Sequence, residues 1–192
     1  MADDGPWLLV GLGNPGPAYA GNRHNVGRMV LDVIAGREHA KFSSHRRSRS
    51  DIAETRVGGV RAVLAMPRSY MNEIGGPVTS LRDFFKVSPD RIVAIHDELD
   101  LDFGMLRLKL GGGDNGHNGL RSMRRSLGTG DFYRVRLGIG RPPGRQDPAD
   151  FVLRDYSGAE RKDLGVQLER AADATEMLLH DGLAAAQNAF ND

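Results

Sequence analysis

The apolar positions of this chain fall into short blocks with two different periods. Trp7 to Val10 is an unbroken apolar run that stops at Gly11, and the Gly and Pro density from Gly11 to Gly21 excludes regular structure, so a strand followed by a loop is predicted. Val26, Met29, Val30, Val33 and Ile34 then recur at helical spacing and form one apolar stripe, with Gly36 as the expected end. Residues 52–57 and 60–66 are β-rich and flank Gly58-Gly59, a hairpin signal, while Lys41 to Ser50 ahead of them is basic, serine-rich and expected to be a loop. Val78, Leu81, Phe84 and Phe85 mark a second helix. Ile92 to Ile95 is a continuous apolar run of the kind found in strands buried on both faces.

Residues 105–110 and 133–139 alternate instead. Leu106, Leu108, Leu110, Val135, Leu137 and Ile139 share one kind of face, and Arg107, Lys109, Arg134 and Arg136 share the other, so two strands with cationic faces are expected. Between them Gly111 to Gly119 is a glycine-rich loop that leads into a helix. Leu120, Met123 and Leu127 point inward on it, and Arg121, Arg124 and Arg125 outward. After a Pro-rich loop at 141–148, Ser157 and Glu160 have capping-box spacing and open a long amphipathic helix through Leu179. Alternating strands and helices with hairpin signals predict an α/β fold: a single three-layer domain over residues 1–192, its mixed, partly parallel twisted sheet flanked by helices. Functional residues are then expected in loops at strand ends.

Composition narrows the chemistry. The 192 residues include no Cys, which excludes disulfides, a thiolate nucleophile and cysteine-bearing metal sites. No apolar run is long enough for a membrane span, and Met1-Ala2-Asp3-Asp4 is acidic where a secretory signal is basic, so a cytoplasmic protein is expected. Net charge is only +1, but residues 1–154 carry 23 Lys and Arg against 17 Asp and Glu, whereas 155–192 carry 3 against 8. A mildly basic body permits a polyanionic partner without requiring one.

Several familiar motifs fail on context. Gly11-Leu12-Gly13-Asn14-Pro15-Gly16 matches a dinucleotide fingerprint, but Pro15, Pro17 and Gly21 delay the helix to about residue 25, and Asp32 lies on a helix rather than at the end of a second strand. Gly111-Gly112-Gly113 lacks the Lys and Ser/Thr of a phosphate loop, and neither a G-x-S-x-G elbow nor an H-E-x-x-H helix occurs. His96 with Asp97, Glu98, Asp100 and Asp102 at a strand end is an alternative Mg²⁺ or Mn²⁺ site, although carboxylates on extended chain alternate in direction and a polar turn closing a strand is the commoner reading. What remains is a set of loops rich in Asn and His: Asn14 to Asn25, Met71-Asn72 and Asn115 to Asn118, with Asp97 completing it. An imidazole, a carboxylate and several amides suffice for hydrolysis by an activated water.

These loops also carry a resemblance. Val-Gly-Leu-Gly-Asn-Pro-Gly (10–16), Tyr19, Arg-His-Asn-x-Gly (23–27), Pro67 with Tyr-Met-Asn (70–72), His-Asp-Glu-Leu-Asp (96–100), Lys-Leu-Gly-Gly-Gly (109–113), Gly-His-Asn-Gly-Leu-Arg (116–121) and Arg-Leu-Gly-Ile-Gly-Arg-Pro (136–142) occur in order. In this the chain, from Val10 to about Leu183, resembles the bacterial peptidyl-tRNA hydrolases. The resemblance implies a monomeric esterase without metal or cofactor, which splits peptidyl-tRNA into peptide and tRNA. It implies His24 as general base and Asp97 as the carboxylate that orients it. Asn14, Asn72 and Asn118 would line the cleft and position water and substrate; Tyr19, Met71 and His117 would lie near the tRNA 3′ end and the peptide; Lys109 and Arg136 would clamp a phosphate. The residues themselves leave two readings of Arg121, Arg124 and Arg125, an extension of that surface or a solvated helix face. Asn22, Ser69 and Ile74 depart from the threonine, threonine and serine usual there, which bears on the details of the first loop. A metal-dependent phosphoesterase and a catalytically silent RNA-binding module are the alternatives.

Overall fold

Residues 5–192 are described by a computed structural model; the acidic start, Met1 to Asp4, lies outside them. The apolar run near the N-terminus forms β1 (Trp7–Gly11), and the helical stripe forms α1 (Val26–Arg37), preceded by a short 3-10 turn at Arg23–Asn25. The hairpin is β3 (Ser50–Val57) and β4 (Val60–Pro67), with α2 (Gly75–Phe85) and β5 (Ile92–Glu98) following. The alternating segments are β6 (Leu106–Leu110) and β7 (Tyr133–Gly138), with α3 (Asn118–Leu127) between them.

One correction concerns Lys41 to Ser50, where the expected loop contains β2 (Ser43–His45), a three-residue strand that extends the hairpin. Two short helices also lie outside the expected set: α4 (Pro148–Val152), and α6 (Leu183–Phe190), which follows the long α5 (Gly158–Asp181) after a break at Gly182. Ser157 and Glu160 form the anticipated capping box at the start of α5.

The seven strands form one sheet in the order β2-β3-β4-β1-β5-β7-β6. β4, β1, β5 and β7 run parallel in its middle, and the outer pairings are antiparallel. Alternation along the strands sends Leu9, Val93, Ile95, Val135 and Leu137 into one core with α1 and α5, and Leu8, Val10, Ile92 and Ala94 into a second core with α2 and α3. The sheet is thus the middle of three layers in a single domain. Asn191 and Asp192 run along the free side of β6, where their side chains accept from the backbone N–H groups of Leu108 (2.7 Å) and Leu106 (2.9 Å).

Gly27 brings α1 down onto the sheet. A Cβ there would lie 2.0 Å from the Ile95 carbonyl and 2.8 Å from the Leu12 nitrogen, so only glycine lets the first turn of the helix meet the ends of β1 and β5. The consequence is functional placement: His24, three residues earlier, is delivered over the carboxyl end of β5.

Candidate active site

Three loops converge at the carboxyl ends of β1, β4 and β5, the end of a parallel sheet where ligands gather. Asn14 comes from the loop after β1, His24 from the 3-10 turn before α1, Met71 and Asn72 from the turn after β4, and Asp97 from the penultimate position of β5. His117 and Asn118 begin α3.

Asp97 is 3% exposed and accepts from two rings, one on each carboxylate oxygen. His24 Nδ1 lies 2.8 Å from Oδ2, and His117 Nε2 lies 2.8 Å from Oδ1. The tautomers follow from the remaining partners. His117 Nδ1 accepts from the backbone N–H groups of Gly119 (3.1 Å) and Leu120 (3.4 Å), capping α3, so its proton sits on Nε2 and is donated to Asp97. His24 Nδ1 likewise donates to the carboxylate, which leaves Nε2 with a lone pair and without a hydrogen-bond partner among the described residues.

The electrostatics agree with this assignment. Burial works against charge on His24, but the Asp97 carboxylate and its hydrogen bond outweigh burial and hold the imidazole pKa above 6.5. Burial would raise the Asp97 pKa, yet the two histidines bring it well below the usual carboxylate range. His96, the preceding residue, is pushed down to about 3 by burial and by the neighbouring His117, and its Nδ1 donates to the Asp97 carbonyl at 2.7 Å. It is neutral and faces the core rather than the cleft.

His24 stands between two cavities. One of about 330 Å³ is lined by Asn14, Tyr70, Met71, Asn72 and Asn118, among others. The other, about 140 Å³, is lined by Asp97, Glu98, Asn115, His117 and again Asn118. Val152 and Ala149 of α4 border both. Asn14 is 6% exposed, and its Oδ1 accepts the Met71 N–H at 2.7 Å, which leaves its NH2 group as the free donor. Asn25 clips the same residue from behind, donating to the Asn14 carbonyl and accepting its N–H, both at 2.9 Å. Asn72 and Asn118 are exposed, and their amides carry no hydrogen bond among the described residues. Tyr19 stands one ring back from the wall, edge-on to Tyr70 at 6.2 Å.

The cationic faces of β6 and β7 need a correction. Arg134 is 1% exposed and serves the fold: it donates to the carbonyls of Gly112 (2.9 Å), Gly113 and Gly130 (3.1 Å) and so holds the glycine loop closed. Burial and the nearby Arg124 and Arg136 push its pKa down to about 10. Arg136 is tied to Glu98 Oε1 through Nε (3.2 Å) and Nη2 (2.9 Å), and Asn115 reaches the same oxygen at 3.4 Å. Burial and then Arg136 and Arg134 lower the Lys109 pKa below its ordinary 10.5. Lys109, Arg134 and Arg136 therefore lie close together, with Glu98 tied to Arg136 and Asp114 acting on Arg134, three cations against two carboxylates, an arrangement that favours an added anion. The four acidic residues considered as a metal site disperse: Asp97 goes to the histidines, Glu98 to Arg136 and Asp100 to Arg141 at 2.7 Å, while Asp102 is exposed. Among the described residues, the ligand-type atoms that do lie together, within 4.8 Å, belong to His24, Asp97 and His117, and are those already joined by N–H···O bonds.

A family model described as peptidyl-tRNA hydrolase matches residues 8–192. The chain belongs to the peptidyl-tRNA hydrolase family. It is 61% identical over 189 residues to the peptidyl-tRNA hydrolase of Frankia alni, covering 98% of this chain and 95% of that protein. It is 59% identical over 191 residues to that of Streptomyces coelicolor, with 97% and 95% covered. The crystal structure of the peptidyl-tRNA hydrolase from Acinetobacter baumannii superposes with a TM-score of 0.91 at 30% identity, over 100% of this chain and 98% of that one.

Within this family member, sequence reasoning passed over Asn25, Glu98 and Arg23 as site-building residues. Asn25 stood inside a quoted motif without a role. Glu98 was a possible metal ligand rather than the partner of Arg136. Arg23 pairs with Glu160 at 2.7 Å and lies 4.0 Å over the Phe151 ring, which fastens α4 beside His24. Its signal was faint, since the partner lies 137 positions away. The departure Asn22 serves the same attachment, donating to the Leu153 carbonyl at 3.2 Å, whereas Ile74 is fully buried in the second core.

Proposed function

We propose that this chain hydrolyses the ester between a peptide and tRNA, with His24 as general base and water as nucleophile. The observation that carries this reading is the free Nε2 of His24, at the junction of two cavities and backed by Asp97. Water held at Nε2 gives up a proton as its oxygen attacks the ester carbonyl, and the imidazolium formed is stabilised by the Asp97 carboxylate 2.8 Å away. The tetrahedral oxyanion needs donors, and the Asn14 NH2 group is one whose orientation is set in advance by Met71 N–H. Collapse returns the proton to the leaving ribose oxygen and releases tRNA.

Asn72 and Asn118 are placed to hold the peptide backbone and the water, their amides having no other task among the described residues. Lys109 and Arg136, with Arg134 behind them, supply positive charge for a phosphate of the acceptor end. Arg121, Arg124 and Arg125 border a further open cavity on the outer face of α3 together with Asp114, which pairs with Arg124 at 3.4 Å and Arg121 at 3.7 Å; the remaining positive charge is in line with an extended RNA contact. Met71, His117 and the Tyr19–Tyr70 pair shape the wall. The protein is read as a cytoplasmic monomer, as the resemblance implies; among the described residues no helix is long and apolar enough to cross a membrane.

The test is release of free tRNA from an N-blocked aminoacyl-tRNA in EDTA, with His24→Ala for comparison. Turnover that falls on the order of 10²- to 10⁴-fold in the variant, with tRNA binding retained, is expected. Turnover that requires added Mn²⁺, or binding without turnover, would replace this reading with one of its alternatives.

A further inference from the structure

The sheet order gives the cleft two sides. Lys109 and Arg136 lie on β6 and β7, to one side of His24 and Asp97; β4, β3 and β2 extend to the other. On that second side the turn between β2 and β3 carries Arg46, Arg47 and Arg49, all exposed and none paired with a carboxylate among the described residues. The turn is well anchored: Arg49 N–H donates to the Arg46 carbonyl at 3.1 Å, Arg68 N–H to the Arg49 carbonyl at 2.8 Å, and the Ser80 hydroxyl to the Arg47 carbonyl at 3.3 Å.

It also adjoins the cleft. β3 begins at Ser50, opposite Pro67, and the chain continues from there through Arg68 to Tyr70, which is 54% exposed and lines the larger cavity beside His24. Arg49 reaches the first turn of α2, where a Cβ on Gly76 would stand 3.4 Å from its guanidinium. Beyond it, Arg47, Ser80, Asp83 and Phe84 line a depression of about 400 Å³; Asp83 is paired with Arg82 at 3.0 Å, and Phe84 is 48% exposed, edge-on to His45.

We propose that this arginine turn receives acidic side chains of the peptide portion of the substrate, making the protein selective for peptides that carry them. The inference rests on the ester-hydrolase reading above. The two halves of a peptidyl ester leave the reacting carbon in opposite directions. With the acceptor-end phosphate over β6 and β7, the peptide runs past Asn14, Asn72 and Tyr70 toward β3. From β5 to β3 is three strand intervals, about 14 Å, which is about four residues of extended peptide. Glu or Asp at about the fourth and fifth residues from the ester therefore meets unpaired guanidiniums. Exposed pairs of this kind are weak and salt-screened, worth about two- to fivefold in kcat/KM each.

The experiment compares tRNAs bearing N-blocked hexapeptides that differ only in Glu or Lys at those two positions, using the full chain and Arg46→Gln/Arg47→Gln at low salt. N-acetyl-aminoacyl-tRNA, too short to reach the turn, reports the chemistry alone, and deacylated tRNA reports RNA affinity. The expected result is a preference for Glu that disappears in the double variant and shrinks with salt, while the short substrate and deacylated tRNA behave alike in both proteins. Equal kcat/KM for the Glu and Lys peptides would overturn the proposal. So would weaker binding of deacylated tRNA by the variant, which would assign the turn to RNA. Absence of turnover with the short substrate is a separate result, and would overturn the hydrolase reading together with this inference.

Discussion

Asp97 has two donors and no spare capacity facing them, so its replacement acts on both rings at once. Asp97→Asn presents an amide where two N–H groups point, and its NH2 side must oppose one of them. Activity is expected to fall on the order of 10³-fold, with substrate binding largely kept, as single-turnover rates would show. The same carboxylate sets the pH dependence. His24 works only when neutral, and Asp97 holds its pKa above 6.5, so activity rises through an acid limb centred above that value. A kcat/KM profile with its acid limb at or below 6.5 would contradict the coupling. Glycine is decisive beside the site: Gly27→Ala drives a methyl into the Ile95 carbonyl, and is expected to cost stability at the upper end of about 1–3 kcal/mol in urea unfolding.

At the scale of elements, the β6–β7 pair separates binding from chemistry. Lys109→Ala should raise KM for tRNA substrates about tenfold and reduce the slope of log KM against log salt by about one, with little effect on a short nucleotide ester. Equal effects on both substrates would remove the clamp assignment. These strands also mark the limit of what periodicity can tell. Alternation correctly put Lys109, Arg134 and Arg136 on one face, but a period of two does not say whether that face meets water or a loop. Arg134 is buried because the glycine loop folds back over it and offers two carbonyls, with that of Gly130, after α3, as a third. Short elements were hidden for a related reason: β2 has exposed, polar Ser43 and Ser44 with no apolar face to betray it, and is held by pairing with β3 and by the ring of His45 against Phe84.

For the whole molecule, the α/β class, the three layers and the long capped helix were legible because core burial imposes its period on long segments. The site was legible as a set of loops, since each loop has its own dense motif, but not as a geometry. That His117 caps α3 with one nitrogen and supports Asp97 with the other depends on contacts across 20 positions. Charge asymmetry along the chain likewise concealed its spatial form, in which cations flank the cleft on both sides while much acidity lies on α5.

The last two residues described along β6 bear on how copies of this protein behave toward one another. A bare edge strand of alternating leucines offers its N–H and C=O groups to any other chain that can supply a strand, and is a starting point for aggregation. Asn191 and Asp192 occupy those groups with side-chain oxygens, and the Asp192 N–H donates to the Leu106 carbonyl at 3.1 Å. At the opposite edge β2 is only three residues long and polar, a poor template. Deleting Asn191 and Asp192 should therefore leave the distant His24 site working while causing concentration-dependent turbidity on mild heating, which light scattering would detect. A colloidal defect of that kind, without a catalytic one, would identify this short tail as the guard that keeps the sheet from growing beyond its own chain.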